Sequence, residues 1–114
     1  MDKIKKIFKE IEESALDKKG QDIVVLDVRK LSDITDYYFI ISASNDRQIK
    51  AIKNEIEVRL KQQFGLFPKH SDGTPVSQWI VVDYTDFIVH IFDENLRQYY
   101  ELERLWGDAK IKKI

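Results

Sequence analysis

The sequence predicts an α/β protein in which helices flank a mixed β-sheet. Three observations carry that expectation. First, residues 79–92 (Trp-Ile-Val-Val-Asp-Tyr-Thr-Asp-Phe-Ile-Val-His-Ile-Phe) read as two strands joined by a tight turn. Outside Asp83-Tyr84-Thr85-Asp86 nearly every position is β-branched or aromatic, the composition of a pleated, mostly buried surface. Polar residues hardly alternate with the apolar ones, so both faces should be covered and the hairpin should lie at the sheet centre. Second, two segments space their apolar residues by three and four, as amphipathic helices do. Third, the elements alternate, in the order α-β-β-α-loop-β-β-α.

Residues 2–19 form the first expected helix. Ile4, Ile7, Phe8, Ile11 and Ala15 make its apolar stripe, with Lys and Glu between them. Asp2 can cap its start, and Gly20 stands where a C-cap glycine belongs. Residues 23–28 (Ile-Val-Val-Leu-Asp-Val) form a short strand without clean alternation, again a sign of burial on both sides. After a polar connection over 29–36, residues 37–43 (Tyr-Tyr-Phe-Ile-Ile-Ser-Ala) form a second strand. Asn45, with Gln48 three residues on, has the spacing of a capping box. Ile49, Ile52, Ile56 and Leu60 then form one stripe, and Phe64-Gly65-Leu66 ends the helix. Residues 68–76 are expected to be a loop, because Pro68, Gly73 and Pro75 oppose regular structure. Beyond the hairpin, Asp93, Glu94 and Asn95 can cap a last helix that puts Tyr99, Leu102, Leu105 and Trp106 on one face, ended by Gly107. The alternating Lys and Ile of 110–114 are expected to fray.

Length and composition narrow the function classes. A chain of 114 residues suits one domain, burying about two thirds of its unfolded surface. Cysteine is absent and His70 and His90 are the only histidines, so neither disulfides nor a zinc site is expected. A net charge of −1, with basic residues spread along the chain, argues against a phosphate-driven nucleic-acid binder. No apolar run approaches the roughly 20 residues of a membrane span, and no apolar core follows the charged N-terminus as in a secretory signal. A soluble cytoplasmic protein without metal or cofactor is the expectation.

Candidate chemistry is sparse. His90 is the only histidine inside an expected element, and a packed histidine under a helix, hydrogen-bonded locally, explains it better than catalysis does. Asp83 and Asp86 bracket the hairpin turn, where Asp serves by bonding nearby amides. Nucleotidyltransferase-like folds share the strand–strand–helix order and hold Mg²⁺ with closely spaced acids after a Gly-Ser turn. Here Asp27 has neither such a turn before it nor an acid two positions away, and the four glycines form no phosphate loop. What remains is a surplus of large aromatics: Trp79, Tyr84, Tyr99, Tyr100 and Trp106. Such rings usually complete a core, but Trp and Tyr also anchor interfaces. Tyr99 and Trp106 lean to the core. Trp79, at the mouth of the expected loop, stands evenly between the two.

The combination of motifs resembles the ribosomal silencing factor family, also called Iojap-like proteins. The residues that carry it are Ile34-Thr35-Asp36-Tyr37-Tyr38-Phe39, Ser44-Asn45-Asp46-Arg47-Gln48, Trp79 to Tyr84, Asp86, Val89-His90-Ile91-Phe92, and Arg97-Gln98-Tyr99-Tyr100-Glu101-Leu102-Glu103-Arg104-Leu105-Trp106. The resemblance spans almost the whole chain. It implies a small α/β domain, usually a homodimer, related to the nucleotidyltransferase-like fold but without transferase activity. It also implies binding to the large ribosomal subunit through its ribosomal protein number fourteen, which blocks joining of the small subunit and represses translation when nutrients are scarce. Two departures are visible. Thr85 stands where family members often carry Gly, and Thr suits a type I turn. Ser71-Asp72-Gly73 stands where the family tends to have a Glu-Gly pair. On this reading Trp79, Ile80, Asp83 and Tyr84 belong to the ribosomal contact, and Tyr99 and Tyr100 complete it or line the dimer contact. Protein contact should dominate over nucleic-acid contact. The alternative is a nucleotide-binding or nucleotidyltransferase-like enzyme, which rests on fold order alone.

Overall fold

Two stretches of sequence dictate the first layer. The 3.6-residue stripes form α1 (Lys3–Asp17) and α2 (Asp46–Phe64), and both press onto one face of a sheet. The computed structural model describes residues 3–30, 35–74, 79–94 and 110–112. Its strands are β1 (Gln21–Asp27), β2 (Tyr37–Ala43), β3 (His70–Thr74), β4 (Trp79–Asp83), β5 (Phe87–Asp93) and β6 (Lys110–Lys112). They form one six-stranded sheet in the order β3-β4-β5-β2-β1-β6. The β2–β5 pair is parallel and every other pair is antiparallel, so the sheet is mixed as expected.

The strand parity divides the core in two. Val25, Phe39, Ile41, Ile80, Val82, Val89 and Ile91 meet the helices. Phe8 of α1 is at the centre of that cluster, with edge-on ring contacts to Tyr37, Phe39 and Phe87 at 5.0, 4.9 and 5.5 Å. Leu26, Val28, Ile40 and Phe92 form a smaller cluster on the opposite face. All seven residues of β5 are buried, which places it at the middle of the sheet as its unalternating sequence predicts. In β4 only Ile80 and Val82 are buried, because its second face lies one strand from the edge.

The helix ends show how short-range chemistry sets the frame. Asn45 caps α2 by accepting the Gln48 backbone N–H at 2.9 Å, as the spacing predicts. Gln48 answers by accepting from Ser44 N–H, and its amide nitrogen donates to the carbonyls of Lys18 and Lys19 at 2.9 and 2.8 Å. One side chain thus closes the α2 cap and ties it to the end of α1. The α1 terminus departs from expectation. The left-handed residue is Lys19 (φ 65°), and Lys19 N–H to Leu16 O with Gly20 N–H to Ala15 O makes a Schellman motif around it. Gly20 is needed for space: a Cβ there would lie 3.0 Å from Ala15 O and 3.1 Å from an Ile41 methyl. Between the helices Arg59 donates to Glu55 and Glu10 at 2.7 and 3.2 Å and also to Asp17.

Three further expectations need correction. Residues 70–74, expected in a loop, form β3 and pair with β4 from His70↔Asp83 to Thr74↔Trp79. His-Ser-Asp-Gly-Thr has no apolar alternation because His70 to Gly73 are exposed, so backbone pairing alone makes this edge strand. Gly73 adopts φ 87° and a Cβ on it would overlap Trp79 O, which is why the strand tolerates glycine there. The expected frayed tail contains β6, which pairs with β1 from Asp27↔Lys110 to Val25↔Lys112. The expected last helix, with Tyr99, Tyr100 and Trp106, lies outside the described residues. Finally, the β4–β5 turn is not type I. Thr85 has φ 79°, and Asp86 N–H donates to Tyr84 O at 3.0 Å, the hydrogen bond of a three-residue γ-turn.

A β-branched residue held at positive φ is strained. Thr85→Gly should therefore raise stability by about 0.5–1 kcal/mol, the relieved strain exceeding the added chain entropy. Urea denaturation of the two proteins measures it; an unchanged or lower midpoint in the glycine variant would contradict the strain.

Candidate interaction surface

The turn fixes what β4 presents. Asp83 Oδ1 accepts the Thr85 N–H at 2.7 Å, so this acid has the turn role its position suggested. Tyr84 N–H donates to Phe87 O at 2.9 Å, and the register then runs Asp83↔Ile88, Val81↔His90, Trp79↔Phe92. Alternation sends Trp79, Val81 and Asp83 to the face away from α1 and α2, while Ile80, Val82 and Tyr84 join the helix-side core.

That parity separates the residues nominated for partner contact. Trp79 and Asp83 share a face: Trp79 is 37% exposed, and Asp83 is partly buried. Ile80 is 1% exposed and packs under the helices. Tyr84 stacks on Phe87 with centroids 5.0 Å apart, and its buried hydroxyl has no hydrogen-bond partner among the described residues. Burial, and then the Glu57 carboxylate, push that phenol well above its ordinary pKa. As direct contact residues Ile80 and Tyr84 are therefore corrected: their side chains support the hairpin from inside the protein. Tyr99 and Tyr100 lie outside the described residues.

Around Trp79 the sheet builds an aromatic group that the sequence reading did not assemble. The indole lies against Phe92 at 4.8 Å between centroids and beside the His90 ring at 6.1 Å. Its Nε1–H donates to His90 Nδ1 at 3.3 Å. His90 in turn stacks parallel to Phe92 (5.8 Å, 4°) and meets Tyr38 at 5.2 Å. The signal was present in the sequence: a tight Asp83–Asp86 turn puts Trp79 opposite Phe92 and diagonal to His90. His90 is hydrogen-bonded locally, as expected, but its strand parity puts it on the face opposite the two described helices. As an acceptor its Nδ1 is unprotonated. Burial pushes the imidazole down from 6.5 to about 4.

Elsewhere, Asp27 is held by its neighbour. Arg29 Nε and Nη2 donate to its two oxygens at 3.0 and 2.7 Å, and Arg29 N–H adds a bond at 3.1 Å. Among the described residues no group of three or more His, Asp or Glu side chains is arranged to hold a metal ion. No helix among them is long and apolar enough to cross a membrane.

Comparison with known proteins assigns the family. The family model described as "Ribosomal silencing factor during starvation" matches residues 1–114. The chain belongs to the ribosomal silencing factor family. A ribosomal silencing factor from Bacillus subtilis is 38% identical over 95 residues, covering 83% of this chain and 80% of its own length. The Chromobacterium violaceum factor is 36% identical over 107 residues, covering 94% and 87%. A chloroplastic Iojap protein of Zea mays is 35% identical over 91 residues, 80% of this chain and 39% of that protein. Among solved structures, a Chromobacterium violaceum protein superposes with a TM-score of 0.84 at 35% identity, covering 93% of this chain and 88% of the other. A Bacillus halodurans protein superposes at 0.80 with 26% identity, covering 96% and 99%. The α/β fold read from the sequence is thus the fold of the family's relatives.

The depressed His90 pKa has a stability consequence. Between about pH 4 and 6.5 the unfolded chain binds a proton at this position that the folded chain does not, so stability rises with pH across that window. It is fully present above pH 6.5 and is lost as pH falls towards 4, by up to about 3 kcal/mol. Urea midpoints of the wild type and His90→Leu across this range test it. The difference between the two proteins should change with pH and flatten below 4; parallel curves would remove His90 as the cause.

Proposed function

We propose that this protein silences ribosomes by steric exclusion. It binds the large ribosomal subunit through ribosomal protein number fourteen and blocks joining of the small subunit, lowering translation when nutrients are scarce. The observation that carries the reading is the family match over residues 1–114, and the aromatic group around Trp79 gives it a surface. A half-exposed Trp mounted on a sheet strand suits an interface anchor, and one buried Trp can supply about 2–4 kcal/mol of binding. Asp83, on the same face, offers a polar neighbour at the patch. Tyr99 and Tyr100 extend the contact or line a homodimer interface.

Exclusion requires a tight contact in the right place and no reaction. A standard interface buries about 1,600 Å² in total. The occupied carboxylate of Asp27, engaged by Arg29, supports a non-enzymatic role over nucleotidyl transfer. A net charge of −1 supports protein contact as the main source of affinity, with little direct contact to ribosomal RNA. The site of action is the cytoplasm, where subunits join.

Sedimentation of purified subunits tests the reading. Added protein should shift joined ribosomes to free subunits, and Trp79→Glu should lose that effect while keeping a native circular dichroism spectrum. Undiminished subunit joining with wild-type protein would sink the proposal; full activity of folded Trp79→Glu would move the contact elsewhere.

A further inference from the structure

The geometry points to His90 as a positioning residue that locks the Trp79 ring in its binding orientation before any partner arrives. The inference rests on the proposed Trp79 contact and names the device that prepares it. His90 is 7% exposed on a strand whose same-face neighbours are Ile88 and Phe92, and the small cluster beside it is Leu26, Val28, Ile40 and Phe92. Desolvating an imidazole there costs stability that an apolar side chain would not. What the histidine adds is an acceptor, Nδ1, for the Trp79 indole N–H at 3.3 Å.

The acceptor is itself immobilised. Its ring lies parallel to Phe92 and against Tyr38, contacts that restrict its tilt. Among the described residues Trp79 is thereby held at two places: its face by Phe92, its nitrogen by His90. The second point removes rotational freedom from a ring more than one third exposed, freedom that binding would otherwise have to remove. Ordering such a side chain before association lowers the cost of binding. The aliphatic alternative, leucine, would fill the same space and remove the acceptor of the indole N–H.

Two variants and one background separate positioning from packing. His90→Leu removes the acceptor and His90→Gln retains one. In isotope-labelled free protein, the Trp79 indole N–H should exchange with solvent at least about tenfold more slowly than an exposed indole. His90→Leu should abolish that protection, keep or raise the melting temperature, and weaken binding to isolated large subunits about three- to tenfold. His90→Gln should restore both protection and most of the affinity. In a Trp79→Phe background, which has no N–H to hold, His90→Leu should cost no further affinity. Wild-type-like binding by His90→Leu overturns the inference, as does an equal loss in the Trp79→Phe background. Should His90→Leu not fold, an unprotected indole N–H in the wild type overturns it alone. Failure of the wild type to bind large subunits defeats the functional reading instead, while the indole measurement still decides whether His90 fixes the ring.

Discussion

Seven consecutive residue pairs, Tyr37↔Phe87 to Ala43↔Asp93, join β2 to β5 in parallel at the middle of the sheet, and both layers of the protein are referred to that seam. Parallel strands cannot be joined by a tight turn, so the chain crosses over from β2 through α2, and it then lays down β3 and β4 before β5. That route puts α2 across the sheet, fixes α1 beside it through Gln48 and Arg59, and buries Phe8 among Tyr37, Phe39 and Phe87. Once the helices occupy one face, the odd-numbered residues of β4 are committed to the other.

The surface around Trp79 is a by-product of that commitment. Phe92 and His90 are buried residues of β5 on the face opposite α1 and α2, and β4 lies between them and the edge. A large ring on β4 can therefore rest on a buried aromatic floor while one side meets solvent. Proteins that act by occupying a site need such a feature more than they need reactive groups, because affinity concentrates in a few rigid, well-supported anchors. The ionisable groups fit the same picture. Asp27, Asp83 and Arg59 are each spent on local structure, and His90 is held neutral by burial.

Among the described residues positive φ outside glycine occurs at Asp22, where the β1–β2 register shifts, and at two tight reversals, Lys19 after α1 and Thr85 in the hairpin. In both reversals, backbone hydrogen bonds hold the conformation, Gly20 N–H to Ala15 O in one and Asp86 N–H to Tyr84 O in the other. Asp83 adds a side-chain bond to the second. The hairpin turn therefore sets the register of Trp79 on Phe92 despite lacking the residue best suited to it.

By itself the sequence determined both described helices, the Asn45–Gln48 cap, the limits of β2 and the buried character of β5, because periodicity and capping are short-range and written in neighbouring residues. It left Trp79 evenly between a core and an interface role. Only the tertiary structure decided that β2 and β5 run parallel, that 70–74 and 110–112 are edge strands, and that Ile80 and Tyr84 face inward while Trp79 and Asp83 do not. Edge strands made of polar residues are held by backbone pairing to a distant segment, and no local pattern encodes that partner. The His90–Trp79 hydrogen bond likewise exists only because the β4–β5 turn brings two residues eleven apart in sequence onto neighbouring strands in one register.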